Sequence, residues 1–323
     1  MGQILSQAFP PAASLTEENL PDQKGKVFIV TGGTSGLGFE LSNILYAHNA
    51  KVYMAARSGD KAREVIENIK SKNPNSTGDV IYLHLDLDNL STIKKSAEKF
   101  LSREKRLDVL WNNAGVMMSP KGSKTQQGYE KQLGTNALGP FLFTQQLMGV
   151  LSSTAKDSPE ASVRVVWLSS SMVQLLAPPG GVDMGNLDYK TEKGAMHKYA
   201  VSKAANTFYS TELARRHSDD GIVSVSLDPG NLRTGLQREA SPWFRRIWNL
   251  ALNPAIHGAH TELFAGLSPA VTTDKNGSWI VPYGRFGALR EDIERATRSK
   301  EMGGSGIAKE IWDWSEREVQ QYV

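Results

Sequence analysis

The chain of 323 residues contains no cysteine, and this absence excludes several kinds of chemistry. Without thiols it can have no disulfide, no thiolate zinc site and no cysteine nucleophile. Its net charge is only +3 at pH 7 and its basic residues are scattered, so no surface for nucleic acid is predicted. His84 has no neighbouring cluster of ligand types, and we predict no metal site. No apolar run is long enough to cross a bilayer, and we expect a cytoplasmic protein.

The N-terminal segment, residues 1–24, is polar and contains three prolines. We interpret it as an arm, with residues 25–323 forming one domain. The first six residues, MGQILS, place Gly2 and Ser6 in the pattern for N-myristoylation, and the alternative is a chance match in a short leader. One acyl chain anchors weakly, so the pattern predicts at most a peripheral membrane contact.

From Lys26 onward, short runs rich in Val and Ile alternate with segments of helix length. Such runs are typical of strands buried on both faces. The predicted strands are 26–32, 50–56, 79–87, 107–115, 162–171, 221–230 and 277–284. The predicted helices are 37–48, 58–72, 90–102, about 126–150 and 199–217. This alternation predicts an α/β fold of one domain, a doubly wound parallel (Rossmann) sheet with helices on both faces. Residues 172–198 are predicted to be a long loop with at most short elements.

A glycine-rich turn, TGGTSGLG at 31–38, leaves the first predicted strand and enters the first helix. Glycine permits a tight turn and lets a pyrophosphate approach the backbone, and the helix N-terminus offers free N–H groups. This context favours nucleotide binding over a purely structural turn. The turn residues predicted to bind it are Gly32, Thr34, Ser35, Gly36, Leu37 and Gly38.

The end of the second predicted strand, MAARS, indicates which nucleotide is bound. Proteins that prefer NAD usually place an acid here, on the ribose 2′-hydroxyl. Ala56 takes that place, and Arg57 follows with a guanidinium suited to a 2′-phosphate. We therefore predict NADP(H) as the cofactor, the alternative for Arg57 being a solvated side chain.

A Tyr and a Lys four residues apart, Tyr199 and Lys203, begin the helix predicted at 199–217. Positions i and i+4 share one face of a helix, so both side chains project into the same space. Taken alone, the pair is common on helix surfaces.

Five motifs together, however, resemble the short-chain dehydrogenase/reductase family: TGGTSGLG, NNAG at 112–115, the serines at 169–171, YAVSK at 199–203 and PGNLRT at 229–234. The resemblance covers residues 26 to about 285. The loop before Tyr199 and the AAR of the second strand look most like the retinol dehydrogenase and WW-domain-oxidoreductase branch, and the leader is similar to fungal members. The catalytic set that this resemblance implies is Asn136, Ser170, Tyr199 and Lys203. It also implies cofactor contacts at Asp86, Leu87, Asn113, Ala114, Gly115, Tyr199, Lys203, Pro229, Gly230 and Thr234. Family members pair through the helices that carry Asn136 and Tyr199, so a homodimer is a further expectation.

The implied chemistry explains the Tyr–Lys spacing. Carbonyl reduction needs a hydride, which a nicotinamide supplies, and a proton on oxygen. We expect the Lys203 ammonium to lower the pKa of Tyr199 towards neutrality, and the Ser170 hydroxyl to donate a hydrogen bond to the substrate oxygen. Because three serines are adjacent, Ser169 and Ser171 remain alternatives. Strand alternation places these two on the face opposite Ser170, and the other interpretation of them is polar residues at a strand end that bond to the backbone.

Asn136 precedes Pro140 by one helical turn, and proline has no N–H. In a regular helix the Asn136 carbonyl would lack its donor and could hold a water that links Lys203 to solvent. A plain kink with an exposed carbonyl is the other interpretation.

The predicted substrate cover comprises about 172–198 and 235–255. Residues 241–252, SPWFRRIWNLAL, combine bulky apolar side chains with Arg245 and Arg246. A lid over an apolar substrate, a helix packed on the core and a membrane contact are three interpretations of this stretch. Met172, Val173, Leu175 and Leu176 are available for the opposite wall.

The sequence as a whole predicts an NADP(H)-dependent oxidoreductase. It would interconvert a ketone or aldehyde and an alcohol on an apolar small molecule such as a secondary metabolite, a lipid or a retinoid-like or steroid-like compound. The alternative is a regulatory protein that keeps the fold and the cofactor but has no turnover.

Overall fold

The computed structural model describes residues 6–7, 10–233 and 252–323. Within these residues lie eight strands: β1 (Val27–Thr31), β2 (Lys51–Ala56), β3 (Asp79–His84), β4 (Val109–Asn112), β5 (Val163–Leu168), β6 (Ile222–Leu227), β7 (Trp279–Val281) and β8 (Arg285–Gly287). The α-helices with both ends in the described residues are α1 (Gly36–Ala47), α2 (Gly59–Lys72), α3 (Leu90–Leu101), α4 (Lys131–Leu133), α5 (Gly139–Lys156), α6 (Met172–Leu176), α7 (Ala195–Arg216), α8 (Ala255–Leu267), α9 (Glu291–Thr297) and α10 (Ile307–Val319).

The strands form one sheet in the order β3-β2-β1-β4-β5-β6-β7-β8. The first seven strands pair in parallel and β8 pairs antiparallel with β7. From β1 the chain adds β2 and β3 on one side of the sheet, and it then adds β4 and the later strands on the other side. The switch point therefore lies between β1 and β4. In such sheets ligands bind at the carboxyl ends of the strands beside this switch point.

Helices cover both faces of the sheet, and the side chains of β1 show why. Val27 and Ile29 belong to the core beneath α3, α5 and α7, whereas Phe28 and Val30 belong to the core beneath α1 and α8. Successive strand residues point to opposite faces, so a strand that is apolar at every position requires a helical layer on each side. The predicted doubly wound α/β fold is confirmed.

All seven predicted strands are present. The loop predicted at 172–198 contains α6, a 3₁₀ turn and the first residues of α7, which begins at Ala195 rather than at 199. Further details differ from the prediction, and α8, α9 and α10 are absent from it. The helix predicted to begin near 126 begins at Lys131, because the Glu130 carboxylate accepts the N–H groups of Gln132 and Leu133 at 2.9 and 2.8 Å and so caps it there. β8 is absent from the prediction because three residues that include a glycine carry too little pattern.

Arg164 is the second residue of β5 and is 4% exposed. Its guanidinium donates to the carbonyls of Ala265, Ser268 and Val271 at 2.9–3.1 Å, at and just after the C-terminal end of α8. Burial lowers the pKa of Arg164 to about 10, so it is charged at neutral pH. A cation suits this end of a helix, where carbonyl groups lack partners.

The outer layer includes two segments from the ends of the described chain. Leu20, in the N-terminal segment, is 6% exposed and belongs to the core beneath α1, and Glu17 pairs with His260 of α8 at 2.6 Å. At the other end, Trp312 of α10 packs edge-on against Phe141 of α5, with ring centroids 4.8 Å apart. Tyr209 of α7 shares a hydrogen bond of 2.6 Å with Ser315 of α10. α10 thus covers the outer side of α7.

Candidate active site

A cleft of about 680 Å³ opens at the carboxyl ends of the parallel strands. Its walls come from the turns after β1, β2, β3, β4, β5 and β6, together with the start of α7. This is the edge of the sheet at which the switch point lies, so the topology and the cavity indicate the same binding site.

The glycine-rich turn forms one wall of the cleft. Gly32 has φ +71°, and a methyl group placed on it would lie 3.0 Å from the Cα of Ala114. A methyl group on Gly38 would lie 2.6 Å from Asn113 Nδ2, which itself donates to the carbonyl of Thr31 at 2.7 Å. Glycine is therefore required at these positions for α1 to approach the turn after β4.

The amino end of α1 points at the cleft. Ser35 is the extended N-cap residue, and its side chain accepts no hydrogen bond from the first turn. Ser35, Gly36 and Leu37 all line the cavity. The unpaired N–H groups of the first helical turn are thus available to a phosphate.

At one end of the cleft the walls are exposed and basic. Arg57 and Lys61 both line the cavity, and both side chains are exposed. Neither makes an ion pair within the part of the chain that the structure describes. Asp86 and Leu87, which follow the neighbouring strand β3, also line the cavity. Lys61 is absent from the sequence prediction, although it lies one helical turn after Arg57 and carries the same charge.

At the other end the cleft is buried, and Tyr199 and Lys203 meet there. Tyr199 is 4% and Lys203 is 2% exposed, and the ammonium lies 5.7 Å from the centre of the phenol ring. Lys203 Nζ donates to the carbonyl of Leu168, the last residue of β5, at 2.9 Å. The predicted projection of these i and i+4 side chains into one space is what the structure shows.

The three serines after β5 have different partners. Ser170 makes a side-chain hydrogen bond with Tyr199. The Ser169 hydroxyl donates to the Lys203 carbonyl at 2.8 Å and lies 3.0 Å from Thr207 Oγ1, so it is already satisfied within the protein. The backbone N–H of Ser171 bonds to Asp228. Of the three, Ser170 is the one whose hydroxyl contacts the phenol.

Asn136 does not lie in a regular α-helix. Residues Gly134–Leu138 form a π-helical turn, and the N–H of Gly139 reaches back to the carbonyl of Gly134. The wider turn lies directly before Pro140, whose missing N–H prevents continuous α-helical bonding. The helix predicted through this region is therefore present, and the disturbance expected from Pro140 takes the form of a π-helical turn.

The Asn136 side chain joins two parts of the site. Its Oδ1 accepts the N–H of Val116 at 2.7 Å, and its Nδ2 donates to the Val116 carbonyl at 2.9 Å and to Ser202 Oγ at 3.0 Å. A methyl group on Gly115 would lie 3.3 Å from Asn136 Oδ1 and 3.4 Å from Lys203 Nζ. Asn136 therefore holds the turn after β4 against α7, close to the Lys203 amine.

Burial dominates the electrostatics at this end. It raises the pKa of Tyr199 above its ordinary value, and the bond to Ser170 opposes this rise only in part. Burial lowers the pKa of Lys203 to about 7, while the charge of Glu262 opposes that change. Burial, and not the Lys203 charge, therefore sets the direction of the Tyr199 pKa here, and the lowering expected from Lys203 stays a prediction.

The cleft brings together most of the predicted residues. Those that line it are Gly32, Thr34, Ser35, Gly36, Leu37, Arg57, Asp86, Leu87, Asn113, Ala114, Gly115, Ser170, Tyr199, Lys203, Pro229 and Gly230. Gly38 and Asn136 lie behind the wall and support it. Thr234, Gly2 and residues 235–251 of the predicted cover lie outside the described residues. Residues of the wall that sequence reasoning missed include Lys61, Met117 and Met196, and the two methionines carry no motif that could have identified them.

Relatives decide the family. A short-chain dehydrogenase/reductase from Phomopsis amygdali is 52% identical over 98% of this chain and 96% of its own length. The chain belongs to the short-chain dehydrogenase/reductase family. The short-chain dehydrogenase/reductase pkfC from Emericella nidulans is 48% identical over 97% of this chain and 98% of its own length. The family described as short chain dehydrogenase matches residues 26–174. This short-chain dehydrogenase/reductase also has solved neighbours. An uncharacterised protein from Mycobacterium paratuberculosis superposes with a TM-score of 0.67 at 26% identity, covering 96% of this chain and 98% of its own.

Proposed function

We propose that this oxidoreductase uses NADP(H) to interconvert a ketone or aldehyde and the corresponding alcohol on an apolar small molecule. The observation that carries the proposal is the meeting of Ser170, Tyr199 and Lys203 at the buried end of a glycine-walled cleft. A serine hydroxyl, a phenol and an amine around one space are the groups that hold a carbonyl oxygen and give it a proton.

The residues present fit a dinucleotide. The turn at Gly32 and the bare N-terminus of α1 would hold the pyrophosphate, and Asp86 and Leu87 would contact the adenine. The turn residues Pro229 and Gly230 and the Lys203 amine lie at the end where the nicotinamide and its ribose would be held. A bound nicotinamide supplies hydride chemistry.

The residues of the chain then have separable tasks. In reduction, the substrate oxygen accepts hydrogen bonds from the Ser170 and Tyr199 hydroxyls. The phenol gives its proton to that oxygen as the carbon is reduced, and the resulting phenolate regains a proton from solvent. Lys203, held by the Leu168 carbonyl, stabilises the phenolate while it exists. Burial favours the neutral phenol, which is the form required for proton donation.

NADP(H) rather than NAD(H) is proposed from the basic end of the cleft. Arg57 and Lys61 give two cations beside the place where the second strand ends, and Ala56 supplies no carboxylate that would repel a phosphate there. A guanidinium forms paired hydrogen bonds with phosphate oxygens.

An apolar substrate is proposed from the wall of the buried end. Met117, Met172 and Met196 lie there with Leu252, and methionine adapts to substrates of varied shape. The stretch 172–198, one of the two predicted cover segments, supplies two of these methionines. Resemblance to the retinol dehydrogenase branch supports a hydrophobic alcohol or carbonyl compound.

Among the described residues no helix is both long and apolar enough to span a bilayer. We propose a cytoplasmic protein, with peripheral membrane contact if Gly2 carries an acyl chain. A homodimer that paired along α7 would have to displace α10, because Tyr209 on that helix is already buried.

The direct test is oxidation of NADPH, followed at 340 nm, with a panel of apolar ketones and aldehydes and with Tyr199→Phe as the matched variant. Turnover by the wild type and its loss in the variant, with NADPH binding kept, are expected. If both proteins bind NADPH and neither turns over any of the compounds, the function proposed here is wrong and a cofactor-binding regulator is favoured.

A further inference from the structure

The first turns of α8 pack against the cleft from behind. A methyl group on Gly258 would lie 2.2 Å from Cδ1 of Leu232 and 2.8 Å from Cδ2 of Leu37, and both leucines line the cleft. Two residues before the helix, the N–H of Asn253 donates to the carbonyl of Asn231 at 3.0 Å. The amino end of α8 is therefore fastened to the turn after β6, which forms part of the cleft wall.

A stack of two rings supports the same turn at Gly230. His257 of α8 and Tyr283, which follows β7, lie with their ring centroids 5.0 Å apart and their planes inclined by 27°. Tyr283 is 7% exposed, and a methyl group on Gly230 would lie 3.4 Å from its Cε1. Gly230 itself lines the cleft. The phenol ring therefore lies directly behind the cleft wall, and the imidazole lies against that ring.

The N-terminal segment fixes the helix that carries His257. Glu17 Oε2 lies 2.6 Å from Nε2 of His260, which is three residues further along α8. The His260 ring in turn lies edge-on to the His257 ring, with centroids 5.9 Å apart. None of the four side chains of Glu17, His257, His260 and Tyr283 lines the cleft. Any effect that they have on a bound molecule is therefore exerted through the turn at Gly230.

We propose that His257 is a positioning residue for the cofactor. Its stack with Tyr283 fixes the turn at Gly230, at the end of the cleft where the nicotinamide would be held, and the ion pair of Glu17 with His260 fixes the helix that carries it. The proposal rests on the function proposed above, which assigns a dinucleotide to the cleft. A turn that is already fixed loses little conformational freedom when a ligand binds, so the stack contributes to affinity without touching the ligand.

The test compares His257→Ala, which removes the ring, with His257→Phe, which keeps a flat ring in its place. From the usual strength of an aromatic pair, the Ala variant should bind NADPH about threefold to tenfold more weakly, and the Phe variant should lose less than about twofold. Fluorescence titration measures both. NADH should weaken by the same factor as NADPH, because the nicotinamide end is common to the two cofactors. The KM for the cofactor should rise accordingly, while kcat at saturation changes by less than about twofold, since the catalytic side chains are intact.

Two further variants separate the stack from general stability. His217→Ala is the matched control, because His217 also pairs with a carboxylate, at 2.6 Å from Asp220, but lies before β6 at the end of the strand away from the cleft. It should leave both affinities unchanged, and an equal loss there would assign the effect to general destabilisation and sink the proposal. Tyr283→Leu removes the other ring and should give the same loss even if His257→Ala folds poorly. Equal losses in the Ala and Phe variants of His257, or wild-type affinity in a folded Ala variant, overturn the proposal.

A readout without cofactor keeps this test distinct from that of the function. Hydrogen exchange of the peptide 228–233, followed by mass spectrometry in the free protein, reports directly on how firmly the turn is held. Exchange should be about threefold to tenfold faster in His257→Ala and nearly unchanged in His257→Phe. If the wild type binds neither NADPH nor NADH, the proposed function fails, while the exchange rates still decide whether His257 fixes the turn. Unchanged exchange in a folded His257→Ala protein refutes the role.

Discussion

The two ends of the cleft differ in how far their ionisable groups are exposed to water. At the basic end, Arg57 and Lys61 are exposed and have no ionic partner in the described residues. At the other end, Tyr199 and Lys203 are nearly inaccessible, and burial rather than pairing sets the direction of their pKa shifts. Charge in water gives selectivity of modest size that salt can weaken, whereas desolvated groups have strong and geometry-dependent effects. We therefore expect substitutions at the buried end to affect turnover and those at the exposed end to affect cofactor choice.

The largest effect is expected from Tyr199→Phe. Removal of the hydroxyl leaves the ring in its pocket but takes away the proton donor, and general acid catalysis is worth about 10²–10⁴-fold in rate. Single-turnover reduction under saturating NADPH measures the step, and fluorescence titration checks that cofactor binding is kept. Residual activity within a few-fold of the wild type would mean that another group supplies the proton.

Asn136→Ala should have the next largest effect, and on stability as well as turnover. The change removes three side-chain hydrogen bonds, one to the buried Ser202 and two to the half-buried backbone of Val116. Each such bond contributes about 0.5–1.5 kcal/mol, so we expect a lower free energy of unfolding in urea. If Asn136 also serves a proton path, the pH profile of kcat should change; an unaltered profile with lowered stability would leave it a purely structural residue.

Arg57→Ala should weaken binding of NADPH and leave that of NADH nearly unchanged. Hydrogen bonds to charged groups contribute about 1.5–3 kcal/mol, which corresponds to a loss of affinity of roughly tenfold to hundredfold. Isothermal titration with both cofactors measures the difference. An equal loss for both would remove Arg57 from contact with a 2′-phosphate.

The smallest effect is expected from Lys61→Ala, which removes an exposed charge. Such contacts are worth about 0.2–1 kcal/mol, or at most about fivefold in NADPH affinity, and should disappear at high ionic strength. Titration at low and at 0.5 M salt measures it. If Lys61→Ala instead lowered turnover by a similar factor, and did so at both salt concentrations, the assignment of cofactor choice to the exposed end and of turnover to the buried end would be wrong.

Prediction from sequence succeeded where a local pattern determines the structure. Short apolar runs predicted the strands, and the glycine-rich turn at 31–38 was predicted from its place between a strand and a helix. The spacing of Tyr199 and Lys203 predicted that both side chains share one face of a helix, and the family resemblance supplied their role. Prediction was less successful where partners come from distant segments. The π-helical turn at Asn136 depends on contacts with Val116 and Ser202, and the sign of the pKa shift of Tyr199 depends on how completely the fold excludes water.

The serines at 169–171 show the same limit within three residues. All three residues are serine, and the alternation of side chains along a strand would place Ser169 and Ser171 on the same face. The strand ends at Leu168, so alternation no longer applies, and each serine takes whichever partner the neighbouring α7 and β6 present. The family resemblance implied Ser170, whereas the pattern of the residues alone left all three serines open.

Arg164 has a consequence for how the sheet assembles. It pairs in register with Val109 on one side and Val223 on the other, and on its own face it meets the backbone oxygens that follow α8. Sliding β5 by one position would turn the guanidinium away from these oxygens and towards the aromatic layer beneath α7, where Trp167 now lies. One cation in an otherwise apolar strand thereby disfavours shifted pairings of that strand.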